Sequence, residues 1–332
     1  MPSGRTGRIV TRGQARRRLA KPCQGIGVNG FVLALDIGGT KMALATADLD
    51  GGVLHSAEVA TDVRRGAQQA LQRAADCATE LVATTRGMNG AGSCMGFAVV
   101  APGVVRSGTM VLTPNVPGLD HLNLRAFLEN EMSIPCLSMS NDVKAAAMAE
   151  ARWGSLRGSD PALYVNVGTG LAAAVIVAGR VLTGAHGAAG EIAYLIDGNS
   201  RDSGVADGHA PLEEIVGGRA IAERATALLG QATTTAEAFA HSDPRVALLV
   251  DEVLDALSLH VANAAILLDP ARIALGGGLM GSAPRVLDAV TRRVGLAVPF
   301  PPEVVPATFL RDAPLRGALA LALDALDGAA AA

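Results

Sequence analysis

The chain has 332 residues, half of them hydrophobic, 18% charged and only 3% aromatic, with 39 glycines. This length supports about two domains with a substantial core, and it excludes a disulfide-stapled miniprotein and a wholly disordered chain. The net charge of −3 is unevenly spread: residues 1–21 carry seven basic side chains and no acid, while the remainder, with 21 basic against 31 acidic side chains, stands at −10. An acidic body argues against a nucleic-acid groove, and the basic block (Arg5, Arg8, Arg12, Arg16, Arg17, Arg18 and Lys21) reads as a disordered arm over residues 1–30. The longest uncharged stretches, 87–105 and 162–179, contain Asn and several Gly, and the first also Pro102, so neither reads as a membrane span. Cys23, Cys77, Cys94 and Cys136 lack paired spacing, which points to reduced thiols and a cytoplasmic protein.

In chain order, the apolar run Phe31–Leu35 predicts a strand ending in Asp36-Ile-Gly38-Gly39-Thr40-Lys41, and a second strand, Met42–Ala47, follows at once. A turn at Asp50-Gly51-Gly52 leads to a strand over Val53–Val59, and residues 66–86 have helical spacing. Strands at Gly96–Val100 and Val104–Val105 flank Ala101-Pro102-Gly103, the segment Pro114–Gly118 is a loop, and 123–132 is helical. The strand Cys136–Ser140 meets Asn141-Asp142 and passes into an alanine-rich helix over Val143–Trp153.

Residues 162–182 repeat the opening pattern. Asn166-Val-Gly168-Thr169-Gly170 stands where Asp36-Ile-Gly38-Gly39-Thr40 stood, a second apolar strand follows, and both copies return through a Val-Leu pair, Val53-Leu54 and Val181-Leu182. Two such strand-turn-strand units in one chain imply two related lobes. Helices at 213–229 and 251–268, a strand at Arg272–Leu275 running into Gly276-Gly277-Gly278, and a terminal helix over 314–327 complete the sequence-based elements.

Glycine turns expose backbone N–H groups to phosphate oxygens, so two of them together with a triple glycine point to a nucleoside triphosphate. Gly168-x-Gly170-x-x-Ala173 also fits a dinucleotide fingerprint, but that site requires the glycines to open a helix, and the residues after Gly170 read as a strand. No turn carries the Gly-Lys-Ser/Thr of a P-loop at its spacing. Asp142 stands where a strand hands over to a helix, a position that suits either a helix cap or a carboxylate accepting a substrate proton.

Taken together, Asp36-Ile-Gly-Gly-Thr-Lys41, Ala101-Pro-Gly103, Pro114-Asn115, Asn141-Asp142, Gly168-Thr-Gly170, Gly184-Ala-His-Gly187-Ala-Ala-Gly190-Glu191, Leu212-Glu213 and Gly276-Gly-Gly278 resemble, in order, the motifs of the ROK family of sugar kinases and sugar-responsive repressors. The resemblance spans about 31–325. It implies a two-lobed α/β fold of the hexokinase/actin-like (ribonuclease H-like) ATPase type, with a cleft between an N-terminal lobe (31–143 plus a helix at about 314–330) and a C-terminal lobe (144–313). It further implies phosphorylation of a hexose or sugar-like hydroxyl by ATP with Mg²⁺, Asp142 acting as general base. Gly103, Asn115, Asn141, Asp142, Glu191 and Glu213 fall on sugar-binding positions, and Asp36 on the position that serves Mg²⁺. Gly38, Gly39, Thr40, Lys41, Gly168, Thr169, Gly170, Gly276, Gly277 and Gly278 fall on phosphate and adenosine contacts. A homodimer, without nucleic-acid or membrane partners, is the implied assembly.

The departures matter as much. At the positions of the family's zinc-binding His and three Cys this chain has Tyr194, Gly204, Ala206 and Pro211, so no structural zinc is expected, and His186 and His209 without thiolates do not replace it. Loss of the histidine places Tyr194 on the sugar side and makes glucose a doubtful substrate; a sugar-like cyclitol, including a C7-cyclitol of secondary metabolism, is an alternative acceptor. The rival from another class is a non-catalytic sugar-binding regulator, against which residues 1–30 offer no helix-turn-helix core.

Overall fold

Phe31, Leu33, Leu35 and Ile37 alternate with Val32 and Ala34 along one strand, and all six are buried. That is the signature of a strand in the middle of a sheet covered on both faces. The computed structural model describes residues 9–10, 30–88, 90, 92–113, 116–196 and 204–330. These form two compact units, one comprising the described residues up to Ala146 with those from Pro314 onward, the other Ala147–Ala313.

In the first unit, β1 (Ile9–Val10), β2 (Gly30–Ile37), β3 (Lys41–Asp48), β4 (Val53–Ala60), β5 (Ser93–Ala101) and, beyond the small hairpin of β6 (Val104–Arg106) and β7 (Thr109–Val111), β8 (Cys136–Asn141) build a sheet of order β1-β4-β3-β2-β5-β8. Strands β2, β5 and β8 run parallel, whereas β3 and β4 pair antiparallel. Helix α1 (Ala67–Arg86) buries Ala70, Leu71, Ala74, Ala78, Leu81 and Val82, an i, i+3, i+4 stripe that covers Phe31, Leu33 and Leu35 together with Phe97 and Val99 of β5. Helices α2 (Leu124–Met132) and α3 (Asp142–Trp153) flank β8 in sequence. Of the arm before Gly30 only Ile9–Val10 is described; there it is not a free tail but pairs with Ser56 and Ala57 at the sheet edge.

The second unit repeats this order. Strands β9 (Ala162–Val167), β10 (Leu171–Val177), β11 (Arg180–Val181), β12 (Arg272–Gly276) and β13 (Glu303–Pro306) lie as β11-β10-β9-β12-β13, with β9, β12 and β13 parallel. Apart from β1 at the edge of the first sheet, three antiparallel strands followed by two parallel ones on the far side of the first is the topology of both sheets, as the sequence echo predicts. Helices α4 (Glu213–Val216), α5 (Gly218–Leu229), α6 (Thr235–Ala240), α7 (Pro244–Leu268) and α8 (Ala283–Ala297) accompany this sheet, and α9 (Ala313–Ala330) closes the chain. The single helix predicted over 213–229 is therefore two, broken at Gly217. The strand β10 after Gly170 removes the dinucleotide-fingerprint reading. Among the described residues no helix is long and apolar enough to cross a membrane, and Cys77, Cys94 and Cys136 are free thiols.

Candidate active site

In the first unit the register fixes the site. Asp36 lies opposite Val100 across β2 and β5, and Ala101 lies opposite Asn141 across β5 and β8. Asp36, the Pro102-Gly103 turn and Asn141-Asp142 therefore gather at the C-terminal ends of three neighbouring parallel strands, where α/β sheets collect ligands. Capping of α3 falls to Asn141, whose Oδ1 accepts the Lys144 N–H at 2.7 Å. Asp142 is thus the first helical residue rather than the cap, and its Oδ1 accepts the Val143 N–H at 2.9 Å.

Burial pushes the Asp142 carboxyl above the ordinary carboxylate range, against the opposing pull of the Val143 amide. Burial, and after it the charge of Asp142, raises Asp36 from 3.8 to about 7, with Lys41 pulling weakly the other way. The Lys41 ammonium itself reaches Glu58 at 2.5 Å, with both side chains more than half exposed.

The turn Gly38-Gly39-Thr40 is closed by the Gly38 N–H on the Lys41 carbonyl at 3.1 Å. Thr61, fully buried, donates its hydroxyl to the Gly38 carbonyl at 2.5 Å and its N–H to the Thr40 carbonyl at 3.0 Å. Arg73 in turn donates to the Thr61 carbonyl. Nothing local in the sequence marks Thr61, because its role exists only once β4 lies beside the turn. Asn115 lies outside the described residues.

In the second unit, Gly168-Thr169-Gly170 joins β9 to β10, and the Gly168 N–H donates to the Gly170 carbonyl at 2.9 Å. Pairing of Asn166 with Gly276 sends the triple glycine off the same end of the sheet. A cavity of about 740 Å³ opens there, lined among others by Gly168, Thr169, Arg219, Thr234, Glu237 and Gly278. Of the three consecutive glycines only Gly278 reaches it: a Cβ on Gly276 would stand 2.2 Å from the Tyr164 hydroxyl, so that glycine serves packing. The wall at 232–237 and Arg219 escaped the sequence analysis. Only Thr234-x-x-Glu237, which forms a capping box at the start of α6, had a local signal.

Glu191, Tyr194 and Glu213 are brought together. Strand β11 covers only Ile176 and Val177 of β10, so the edge amides nearer the turn need other acceptors. The Ala173 N–H donates to the Gly190 carbonyl at 2.7 Å, and the Leu171 N–H to Glu213 Oε2 at 2.8 Å. Gly190 sits at φ +86°, and a Cβ there would fall 2.1 Å from the Ala173 carbonyl oxygen. Only glycine lets Glu191 lie this close to the strand. The Leu212 N–H donates to the Ala193 carbonyl at 3.1 Å, tying the 3₁₀ turn Ile192–Tyr194 to the start of α4. Burial and the charges of Glu191 and Glu213 push the Tyr194 phenol above its ordinary range. His209 faces Glu214 at 3.0 Å on the surface, His186 is exposed, and among the described residues no group of three or more His, Cys, Asp or Glu is placed to hold a metal.

Comparison with known proteins bears on the family and the fold. The family model described as ROK family matches residues 32–325. An N-acetylmannosamine kinase from Shigella boydii is 30% identical over 305 residues, 87% of this chain and 97% of that protein. The ROK hexokinase from Thermus thermophilus is similar with a TM-score of 0.74 at 28% identity, covering 90% of this chain and 100% of that one. A ROK family glucokinase from Streptomyces griseus, solved with glucose and AMPPNP, gives 0.71 at 26% identity, covering 89% and 100%. A family match that begins inside β2 and ends inside α9, joined to a shared two-lobed α/β fold, leads to one conclusion: the chain belongs to the ROK family.

Proposed function

We propose that the protein is an ATP-dependent sugar kinase that phosphorylates a hydroxyl of a hexose or sugar-like acceptor. The observation that carries this reading is Asp142: a largely buried carboxylate just past the C-terminal end of β8, relieved of capping by Asn141 and pushed above the ordinary carboxylate range by burial. Such a group accepts the proton of an acceptor hydroxyl as that oxygen turns nucleophilic. The Val143 amide on Oδ1 fixes the carboxylate plane.

A magnesium nucleotide fits the residues present. Asp36 is raised to about 7 by burial and, after it, by the charge of Asp142, so a cation there would relieve a carboxylate pair, and magnesium sites commonly use one or two carboxylates with phosphates and water. Asp36 would hold the ion, probed best through water-exchange or metal titration. The amides of Gly39 and Thr40 and of Thr169 and Gly170 would face phosphate, those of Gly38 and Gly168 closing their own turns, and the 740 Å³ cavity has room for the nucleoside. When bound, the nucleotide supplies the phosphoryl group and the ion offsets its charge. Glu191, Glu213 and Tyr194 would orient the acceptor, with Tyr194 in place of the family's zinc-bound histidine.

The test is ADP release across a panel of sugars and cyclitols, with Asp142→Asn as the control. Turnover on the best acceptor should fall by roughly 10²–10⁴ in the variant while acceptor binding persists. Near-normal turnover by Asp142→Asn would remove the base assignment. Silence across the panel with sugar binding intact would place the chain with the non-catalytic regulators of its family.

A further inference from the structure

Glu213 does not line the 740 Å³ cavity, yet its side chain is built into the turn that does. Leu171 is the first residue of β10, directly after Gly168-Thr169-Gly170, and its N–H points off the uncovered edge of the strand. Glu213 Oε2 accepts that N–H at 2.8 Å, a charge-assisted bond of the stronger kind. Glu213 Oε1 lies 3.9 Å from the Arg219 guanidinium, which does line the cavity. The main chain adds two ties: the Gly218 N–H donates to the Gly168 carbonyl at 2.9 Å and the Arg219 N–H to the Thr169 carbonyl at 3.1 Å. The first amides of α5 are thereby spent on holding the turn.

We infer that Glu213 is a positioning residue for the nucleotide: its carboxylate, from the acceptor cluster with Glu191 and Tyr194, sets the backbone of the 168–170 turn through Leu171 and steadies Arg219 in the cavity wall. This rests on reading the cavity as the nucleotide site. Of the three ties, the carboxylate is the one made by a side chain, and so the one an acceptor hydroxyl can reorient or fix. A hydroxyl that donates to Glu213 while Oε2 keeps the Leu171 amide locks the carboxylate plane and with it the turn. Acceptor and nucleotide then favour each other's binding, by the same factor in both directions.

AMPPNP with Mg²⁺ is the probe, titrated calorimetrically into the intact protein, Glu213→Gln and Glu213→Ala in the absence of any sugar. Glutamine keeps an oxygen for the Leu171 N–H; alanine leaves that amide to water. Glu213→Ala should bind AMPPNP about 5- to 50-fold more weakly, and Glu213→Gln within about threefold of the parent, on the scale of one charge-assisted against one neutral hydrogen bond. Amide exchange at Leu171 should rise in the alanine variant only. Unchanged AMPPNP affinity in a folded Glu213→Ala protein overturns the inference and leaves Glu213 an acceptor contact alone. Equal weakening in both variants, without a change in exchange at Leu171, also overturns it, since the charge rather than the turn would then be responsible. Failure of the parent protein to bind AMPPNP removes the nucleotide assignment of the cavity, and the inference with it.

Discussion

A carboxyl whose ionisation the fold resists is an unusual residue to keep at the end of a strand, and Asp36, half-buried near the end of β2, is one. Its raised value of about 7 against 3.8 means that the native state holds a proton between these values which the unfolded chain has already released. Stability must therefore fall as pH rises from about 4 through about 7 and level off above. Asp36→Asn removes this part of the slope, while the raised Asp142 keeps its own, so the nucleotide-free variant should gain on the parent by on the order of 2–3 kcal/mol between pH 5 and pH 8. Denaturant melts at the two pH values decide this; a parent protein whose stability climbs from pH 5 to pH 8 relative to the variant contradicts it. Tyr194 is the second residue-scale case. Its phenol stands among the carboxylates of Glu191 and Glu213, so it offers a hydrogen-bond donor where the family's zinc-bound histidine would stand. Tyr194→Phe and Tyr194→His should shift relative turnover among sugars, by roughly 10-fold or more between best and worst acceptors, while KM for ATP moves less. Equal effects on every sugar, or efficient glucose phosphorylation by the parent, would make Tyr194 a packing residue.

Among the elements, β10 acts as the ruler of the second unit's site, since its uncovered edge near the turn takes Glu213 at Leu171 and Gly190 at Ala173. Gly190→Ala strains a residue at φ +86° and drives a Cβ into the Ala173 carbonyl. A loss of about 1–3 kcal/mol is expected, with a raised KM for the acceptor and an unchanged affinity for AMPPNP; thermal melts and both titrations check it, and a weakened AMPPNP affinity would mean that the edge does not separate the two functions. The strands of this ruler were readable in the sequence because β2, β9 and β10 are apolar runs bounded by glycine turns. Other elements were not. The run 213–229 reads as helical on either side of Gly217-Gly218, and it breaks there because Gly217 is extended and the next two amides, Gly218 and Arg219, bond to Gly168 and Thr169 across the fold. Helix α8 has Pro284 in its first turn, a start signal only when the residues before it are known to form a turn. Thr61 and Arg219 are invisible in the sequence for the same reason: each gains its role from a turn remote along the chain.

At the level of the whole molecule, one topology is used twice with different chemistry at the equivalent place. Asp36 pairs with Ala43 and Asn166 with Ala172, each just before its glycine turn, the first turn spanning residues 38–41 and the second 168–170. This duplication was legible because the motif residues themselves repeat, whereas the division of labour between copies was legible only as aspartate against asparagine. A carboxylate suits the copy that would also serve a cation, and a neutral amide suits the copy whose turn would face phosphate without one. The Asn166 amide nitrogen lies against Gly168, 3.5 Å from where a Cβ on that glycine would stand. Asn166→Asp keeps size and shape and adds a negative charge under the turn. Two like charges at ~8 Å in an effective dielectric near 20 repel by about 2 kcal/mol, so AMPPNP with Mg²⁺ should bind roughly 30-fold more weakly, and the loss should shrink as salt is added. The acceptor KM, which on the proposed reading Glu191, Tyr194 and Glu213 would govern, should change far less. Calorimetric titration at two ionic strengths tests the assignment: an Asn166→Asp protein that binds AMPPNP as the parent does would show that this turn does not face phosphate, and that the echo between the two units is one of architecture alone.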